Sequence, residues 1–319
     1  MARLEDFLEG VKTVAVVGHV NPDGDCVGAC LGTKIYLTEN YPELKVDVYL
    51  QKVKDIFGYL KYADEVHTED PKDTACDLLI LCDISAKDRI GCGAGLLSHA
   101  EKTLCLDHHL TNKGGYTWFY NYPKASSACE VIYGFMDPKK ISVSCAEALY
   151  TGIVHDTGVF QYSNTSGYTM EVAGKLMDMG VDFNHIIDKT FFEKTYAQRR
   201  ILGKVMESAG LHLDGRVISG VVTLADKKNY AIGSGDTEGI VSELRSTRGV
   251  ETAIFLYQLG SGEFKISLRS QDIVDVSAIC AEFGGGGHVR AAGCNMKGTA
   301  EEIIDTLVNR ISIQLEGSL

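Results

Sequence analysis

Short apolar runs alternate with helix-favouring segments along the first half of the chain. The runs that indicate strands span residues 13–18, 45–50, 77–83 and 103–107. The helix-favouring segments span residues 26–38, 54–61, 125–135, 143–153 and 169–179. Residues 78–81 are apolar at every position, as expected of a strand that is covered on both faces. This alternation predicts an α/β fold with a doubly wound, mainly parallel sheet.

A different pattern begins after residue 184. Residues 185–208 are polar and helix-favouring and carry no strand signal, so we interpret them as a helical linker. Beyond them, turn residues at 214–215 and 260–262 predict two β-hairpins. Further helices are expected over residues 236–247 and 275–282 and from residue 299 onwards. The predicted organisation is a first domain over residues 1–184, the linker over 185–208 and a smaller α+β domain over 209–319.

Acidic and imidazole side chains follow the ends of the apolar elements in the first domain. The carboxyl ends of parallel strands meet at one edge of a sheet, where open α/β sheets bind ligands. The candidate ligands at this edge are His19, Asp23, Asp25, Asp83, Asp107, His108, His109 and Asp156. A single Asp after a strand is usually a cap or turn residue. Grouped together, however, these carboxylates would repel one another strongly unless cations lay between them.

The ligand types narrow the choice of cation. Carboxylate and imidazole groups without a thiolate suit Mn²⁺, Mg²⁺ or Co²⁺ rather than a structural zinc. There are enough ligands for a pair of ions, and such pairs recur in enzymes that attack phosphorus. We therefore expect two divalent metal ions, with Mn²⁺ favoured over Mg²⁺ and Co²⁺.

The amino-acid composition indicates which partners and which cellular compartment to expect for this protein. A net charge of −12 without a basic stripe argues against long duplex nucleic acid, whose binding depends on many phosphate contacts. No apolar run approaches the roughly 20 residues that cross a bilayer, and the first residues lack the pattern of a signal peptide. The 10 cysteines show no C-x-x-C spacing and are interpreted as buried, reduced thiols. We therefore expect a soluble, cytoplasmic protein without a membrane partner.

The acidic motifs resemble those of a known enzyme family. HVNPDGD (residues 19–25), LLILCD (78–83), DHH (107–109) and HDTG (155–158) resemble, in this order, the four motifs of the DHH phosphoesterases. GGGGHVRAAG at residues 284–293 is similar to the signature of the DHH-associated C-terminal domain, so the resemblance covers essentially the whole chain. Its length and layout are most similar to the bifunctional oligoribonuclease/pAp-phosphatase (nanoRNase) subgroup.

The resemblance implies a role for each matching residue. One ion would be held by His19, Asp23 and Asp83. The other would be held by Asp25, Asp83, His108 and Asp156, with Asp83 as the bridging ligand. Asp107 would orient the adjoining imidazoles, and His109 would act beside the scissile phosphate as an electrostatic partner or a proton donor. Substrate phosphates would be bound in the second domain by Arg269, Gly285, Gly286, His288 and Arg290.

The phosphate-binding assignment also has a physical basis. Successive glycines let backbone N–H groups form an anion-binding concavity, and His288 and Arg290 would add cations beside it. The guanidinium group of Arg269 suits bidentate phosphate contacts. Without the resemblance, the glycine run would be interpreted as a flexible loop, and Arg269 is equally typical of a solvated strand.

The implied activity is metal-dependent hydrolysis of RNA oligonucleotides of two to five nucleotides to 5′-mononucleotides, together with dephosphorylation of 3′-phosphoadenosine 5′-phosphate (pAp). A phosphodiesterase for pApA or other linear dinucleotides of a cyclic-dinucleotide pathway stays open as the alternative. A RecJ-like exonuclease is less favoured because such enzymes are usually longer, and a family II pyrophosphatase because its second domain lacks the GGGGH signature. A non-catalytic nucleotide-binding protein is least favoured because no ligand position is lost. A homodimer is an expectation from the family alone.

Overall fold

A computed structural model describes residues 2–71, 74–233 and 235–317. The chain divides into two compact units, Met1–Glu193 and Lys194–Leu319. The division lies inside the segment 185–208 that the sequence indicated as a linker. Residues up to Glu193 belong to the first unit, and the helix that follows belongs to the second.

A five-stranded parallel sheet forms the centre of the first unit. Its strands are β1 (Thr13–Val17), β2 (Lys45–Tyr49), β3 (Cys76–Cys82), β4 (Ala100–Asp107) and β5 (Trp118–Asn121). They lie in the order β2-β1-β3-β4-β5, and every neighbouring pair is parallel. From β1 the chain first adds β2 on one side and then β3 on the other. The switch point between β1 and β3 opens a crevice at their carboxyl ends, where ligands bind in such sheets.

Both faces of this sheet are covered, which explains the continuous apolar runs. Along β3, Leu78 and Ile80 pack into one hydrophobic cluster, whereas Leu79 and Leu81 pack into another on the opposite face. The first face is covered by helices α1 (Gly24–Asn40), α2 (Ala128–Phe135), α3 (Val143–Asp156) and α4 (Gly167–Asp178). The second face is covered by loops and short 3₁₀ turns. The predicted fold class is confirmed.

The second unit contains a six-stranded mixed sheet in the order β10-β11-β9-β8-β7-β6. Its strands are β6 (Gly210–His212), β7 (Val217–Val222), β8 (Thr252–Gly260), β9 (Glu263–Ser270), β10 (Gly286–His288) and β11 (Ala291–Lys297). The β6–β7 and β8–β9 pairs are antiparallel, so both predicted hairpins are confirmed. The pair β7–β8 is parallel.

Helix α5 (Phe183–Ile187) belongs to the first unit. The helices of the second unit, which connect and cover its sheet, are α6 (Tyr196–Glu207), α7 (Leu224–Tyr230), α8 (Ile240–Arg245), α9 (Val276–Glu282) and α10 (Ala300–Glu316). Side chains alternate along β9. Ile266 and Leu268 pack into the cluster that includes residues of α9 and α10. Lys265, Ser267 and Arg269 therefore point to the opposite face.

One local prediction was wrong. Residues 54–61 form no α-helix. They contain a single 3₁₀ turn, Asp55–Phe57, which ends at Gly58, and its N-cap residue Lys54 makes no side-chain capping hydrogen bond. Glycine and a missing cap both disfavour a helix this short.

The glycine run contributes to the second sheet. Its last two residues, Gly286 and Gly287, lie in strand β10, which pairs with β11.

Candidate active site

His19 follows β1 and directs its Nε2 atom toward two carboxylates. Its Nδ1 lies 2.8 Å from the carbonyl oxygen of Val20, which implies that Nδ1 carries the proton and that Nε2 keeps its lone pair. Nε2 lies 3.6 Å from Asp23 Oδ1 and 3.3 Å from Asp83 Oδ2. Asp23 is fixed as the N-cap of α1, where it accepts hydrogen bonds from the backbone N–H groups of Asp25 and Cys26. The structure thus brings together the three side chains that the resemblance assigns to one ion.

Asp83 occupies the centre of the site. It directly follows β3 and has a left-handed backbone conformation, with φ of 57°. Such strain in a non-glycine residue is retained mainly at functional sites. Its carboxylate is 2% exposed, and Oδ1 has no hydrogen-bond partner among the residues that the structure describes. Oδ2 faces His19, whereas Oδ1 lies 3.5 Å from His108 Nε2. One carboxylate therefore lies between the two predicted ligand sets, as a bridging ligand must.

Asp25, His108 and Asp156 form the second set. His108 Nε2 lies 3.8 Å from Asp25 Oδ2 and 3.6 Å from Asp156 Oδ2. Its Nδ1 lies 3.4 Å from the carbonyl oxygen of Ala125, again leaving Nε2 as the ligand atom. Asp25 is almost fully buried, and backbone N–H groups at the start of α2 donate to both of its oxygens. Asp156 is the last residue of α3.

Asp107 fixes the orientation of His109. Asp107 is fully buried at the end of β4, and its Oδ1 accepts a hydrogen bond of 2.9 Å from His109 Nδ1. Asn112 donates to its other oxygen at 2.8 Å. A buried carboxylate that accepts from Nδ1 selects one tautomer and leaves Nε2 of His109 available for other contacts. His109 Nδ1 also lies 3.5 Å from Asp83 Oδ1.

The site has a strongly negative potential. Burial lowers the pKa of His108, but contact with Asp83 and the charges of Asp25 and Asp156 outweigh it and raise the pKa to about 10. Burial also opposes protonation of His19, yet its contacts with Asp23 and Asp83 raise the pKa well above its usual range. Burial raises the pKa of Asp156 to about 6. The raised pKa values of both imidazoles reflect the negative charge of the carboxylates around them, a charge that divalent cations would offset.

The side chains fit a pair of divalent ions. Three overlapping sets have ligand atoms within 4.8 Å of one another: His19 with Cys26 and Asp83; Asp83 with His108 and His109; Asp25 with His108 and Asp156. Asp83 Oδ1, which is buried and has no hydrogen-bond partner among the described residues, and the Nε2 atoms of His19 and His108, which face the carboxylates, are the donors that such ions require. The acidic and imidazole clusters therefore agree with the pair of divalent ions that the resemblance implies.

Cys26 is a site residue that the sequence-based interpretation missed. We expected a ligand set without a thiolate, yet the fully buried Cys26 belongs to the set with His19 and Asp83. The sequence did contain a signal, because Cys26 directly follows Asp25 in the first acidic motif.

Asn164 links two supports of the metal ligands. Its side-chain amide donates to the carbonyl oxygens of Ser126, at 2.9 Å, and Asp156, at 3.0 Å. Ser126 lies just before the start of α2, whose N–H groups hold Asp25. Between Asp156 and Asn164 the chain turns through three consecutive residues with positive φ, residues 158–160. This turn of positive-φ residues therefore places the Asn164 amide against the backbone of Ser126 and Asp156.

Replacing Asn164 by alanine is expected to weaken Mn²⁺ binding by roughly 10–100-fold, the usual effect of removing a group that orients metal ligands. Asn40→Ala is the matched control, because the Asn40 amide also donates to two carbonyl oxygens, those of Tyr36 and Lys140, at the far end of α1. Calorimetric titration with Mn²⁺ compares the affinities of the two variants. Equal affinities would show that Asn164 is only a structural residue.

The predicted phosphate-binding residues of the second unit do not all meet. Arg269, Gly285 and Gly286 line one cavity of about 500 Å³, together with Lys265 and Ser267. His288 is exposed and is not among the residues that line this cavity. Arg290 donates to the carbonyl oxygens of Val274 and Asp272, so its guanidinium group binds the neighbouring loop.

Two positions of this run require glycine for steric reasons. A Cβ at Gly285 would overlap the carbonyl oxygen of Gly293, and a Cβ at Gly287 would overlap that of Ala291. Close pairing of β10 with β11 therefore requires glycine at both positions. Gly286, by contrast, faces open space. Phosphate binding by these residues stays a prediction.

Two domain families match the chain. Residues 13–153 match the DHH family, N-terminal domain, and residues 216–316 match the DHHA1 domain. The chain therefore belongs to the DHH family and carries a DHHA1 domain, as the four acidic motifs and the glycine signature predicted.

Three similar proteins, two curated relatives and one solved structure, each match over most of the chain. The bifunctional oligoribonuclease and PAP phosphatase NrnA of Thermus thermophilus is 28% identical over 309 residues, which cover 93% of this chain and 89% of that protein. A probable NrnA of Streptococcus mutans is 26% identical over 302 residues, covering 92% and 93%. The crystal structure of an exopolyphosphatase-related protein from Bacteroides fragilis superposes with a TM-score of 0.86 at 25% identity, covering 97% of this chain and 94% of that one.

One further finding concerns membranes. Among residues 2–71, 74–233 and 235–317, no helix combines the length and the apolar character that crossing a bilayer requires.

Proposed function

We propose that this protein is a metal-dependent phosphoesterase that hydrolyses very short RNA oligonucleotides to 5′-mononucleotides and removes a phosphate from pAp. The observation that carries the proposal is the central position of Asp83 between two ligand sets, with one buried oxygen unpartnered among the described residues. The similarity to NrnA proteins over most of the chain supports the substrate class.

The side chains of the site would have different roles in the reaction. His19, Asp23 and Asp83 would hold one ion, and Asp25, Asp83, His108 and Asp156 the other. When bound, such ions supply Lewis-acid stabilisation of the charge that develops on the phosphoryl oxygens. Asp107 holds His109 Nδ1, so that Nε2 of His109 is free to donate a proton or a hydrogen bond to the leaving oxygen.

The second unit supplies groups that suit a phosphate-bearing ligand. Lys265 and Arg269 line the same cavity as Gly285 and Gly286, so cations and backbone N–H groups are present together there. We assign the binding of substrate phosphates to Arg269, Gly285 and Gly286, with His288 and Arg290 as further candidates at the adjoining strand and turn.

The metal, the assembly and the compartment complete the proposal. We propose Mn²⁺ as the physiological cation, with Mg²⁺ and Co²⁺ as alternatives that the carboxylate ligands also suit. The protein is proposed to act as a homodimer in the cytoplasm. All 10 cysteines are free thiols, which suits a reducing compartment.

A substrate panel on one preparation tests the proposal. Metal-free protein is assayed with and without Mn²⁺ against a 5′-labelled RNA dinucleotide, pAp, pApA and pyrophosphate. We expect Mn²⁺-dependent turnover of the RNA dinucleotide and of pAp. Turnover of pApA alone would instead identify a linear-dinucleotide phosphodiesterase, and turnover of pyrophosphate alone a pyrophosphatase. Absence of turnover on every substrate would overturn the assignment.

A further inference from the structure

We propose that Cys26 supplies a sulfur ligand to the ion held by His19 and Asp83, so that this half of the metal centre favours a thiophilic divalent cation. The inference rests on the proposed metal centre and adds a donor atom that its motifs do not assign. Cys26 Sγ lies within 4.8 Å of a ring nitrogen of His19 and a carboxylate oxygen of Asp83. Cys26 is fully buried, so solvent does not compete with a cation for its thiol.

The local fold holds this thiol at the site. Cys26 lies in the first turn of α1, and its backbone N–H donates to Asp23 Oδ1 at 3.1 Å. Asp23 therefore fixes the backbone of Cys26 while its own carboxylate faces His19. Gly18 provides the space for the sulfur, because a Cβ at this position would overlap Cys26 Sγ. The strand end and the helix start together form a cradle for the thiol.

The neighbours of this thiol are themselves suited to a cation. Asp83 is 2% exposed, and its Oδ2 lies 3.3 Å from His19 Nε2 on this side of the site. Burying a carboxylate is costly unless a positive charge lies beside it. On the other side of the set, the Nδ1 of His19 is occupied by the carbonyl oxygen of Val20, so its Nε2 is the atom available to a metal.

The sulfur changes which cations this half of the centre selects. Carboxylate and imidazole groups alone suit Mn²⁺, Mg²⁺ or Co²⁺, whereas an added thiolate shifts the preference toward Zn²⁺ and Fe²⁺ and strengthens the binding of Co²⁺. Ligation replaces the S–H bond with a metal–sulfur bond and releases one proton to solvent. The other set, with Asp25, His108 and Asp156, contains no sulfur in its ligand group. The two halves of the centre are therefore expected to differ in metal preference.

Co²⁺ provides a direct spectroscopic test. Metal-free protein is titrated with Co²⁺, and the near-ultraviolet absorption is recorded for the sulfur-to-cobalt charge-transfer band. We expect the band in the wild type and in Cys30→Ser, a matched control that replaces a second buried thiol of α1. Cys26→Ser is expected to lose the band and to bind Zn²⁺ and Co²⁺ roughly 10–100-fold more weakly, with Mn²⁺ affinity changed far less.

A second measurement keeps the test decisive if Cys26→Ser does not fold. X-ray absorption of the wild type loaded with two Zn²⁺ ions is expected to show a sulfur neighbour at about 2.3 Å, with one sulfur for every two zinc ions. A spectrum with nitrogen and oxygen neighbours only, or a charge-transfer band that persists in Cys26→Ser, would overturn sulfur ligation. Failure of the proposed function is separate: a protein that shows the band but hydrolyses no nucleotide would overturn only the function.

Discussion

Replacing Asp83 by asparagine is expected to abolish paired metal binding and to lower Mn²⁺-dependent hydrolysis at least about a thousandfold, equivalent to ~4 kcal/mol of the activation barrier. The two oxygens of Asp83 face the two ligand sets, so one substitution weakens both: the asparagine amide keeps a single neutral oxygen donor in place of two charged ones. Asparagine has nearly the same shape as aspartate, and it tolerates the left-handed backbone conformation of this position equally well. The loss is therefore expected without unfolding of the chain.

The effect of Asp83→Asn can also be measured through metal binding, without an activity assay. A ligand that binds only the folded state stabilises it, by about 2.7 kcal/mol at a concentration 100 times its dissociation constant. Mn²⁺ is therefore expected to raise the melting temperature of the wild type and to leave that of Asp83→Asn unchanged. Calorimetry and metal analysis measure the stoichiometry, which is expected to fall below two ions per chain.

The control for this variant lies at the other end of the same strand. Asp77 accepts hydrogen bonds from the backbone N–H groups of Lys12 and Thr13 and from the Thr13 hydroxyl. Asp77→Asn therefore perturbs the pairing of β3 but leaves the metal ligands intact. It is expected to bind metal and hydrolyse substrate as the wild type does. If Asp83→Asn bound two ions with wild-type affinity, the central role assigned to Asp83 would be wrong.

The candidate ligands could be predicted because their positions depend on simple geometry. A continuous apolar run marks a strand that is buried on both faces, and the polar residue that ends it lies at the carboxyl edge of a parallel sheet. Asp83 after β3 and Asp107 at the end of β4 follow this rule directly. This prediction did not depend on the order of the strands, because the residues that follow parallel strands lie at the same edge of the sheet in any order.

The supporting contacts could not be predicted in this way. The Asn164 amide meets a carbonyl oxygen 38 residues away, and Asp25 accepts from an N–H group 103 residues away. No periodic pattern specifies such pairs, because they depend on how helices and turns pack in three dimensions. The proximity of Cys26 to Asp83 has the same origin. The sequence shows a small residue after Asp25, and only the position of β3 beside β1 brings its sulfur to the site.

In the second unit, the sequence motif could not distinguish candidate phosphate ligands from residues with structural contacts. The glycine signature and Arg269 suggested one phosphate site, and Arg269 does share a cavity with Gly285 and Gly286. Arg290, however, makes two hydrogen bonds to backbone carbonyl oxygens of the adjacent loop. A motif identifies which residues the family retains but does not separate ligand contacts from contacts that hold the strand and its turn in place. Loss of substrate binding in Arg290→Ala would therefore include an effect on the loop.

Helix packing beneath the metal centre gives the largest expected effect on stability. Gly28 of α1 contacts α3 so closely that a Cβ there would overlap the backbone carbonyl oxygen of Ala148. A backbone atom cannot move aside as a flexible side chain can, so Gly28→Ala must separate the two helices. Overpacking of this kind usually costs about 1–3 kcal/mol and occasionally more. Because Asp25 lies in the first turn of α1 and Asp156 ends α3, we expect weaker metal binding together with the loss of stability.

Urea denaturation followed by tryptophan fluorescence measures this effect on the first unit alone, because Trp118 on β5 is the single tryptophan of the chain. Gly174→Ala is the matched control: it lies inside α4, and a Cβ there would meet no atom within 4 Å. Alanine at that position is expected to raise the free energy of unfolding by roughly 0.5–1 kcal/mol, since glycine is the poorer helix former. Opposite signs for the two substitutions would show that contact between α1 and α3, and not helix propensity, requires glycine at position 28. A stabilising Gly28→Ala would instead mean that the helices can separate without cost, and the close α1–α3 contact would then not be what holds Asp25 and Asp156 together.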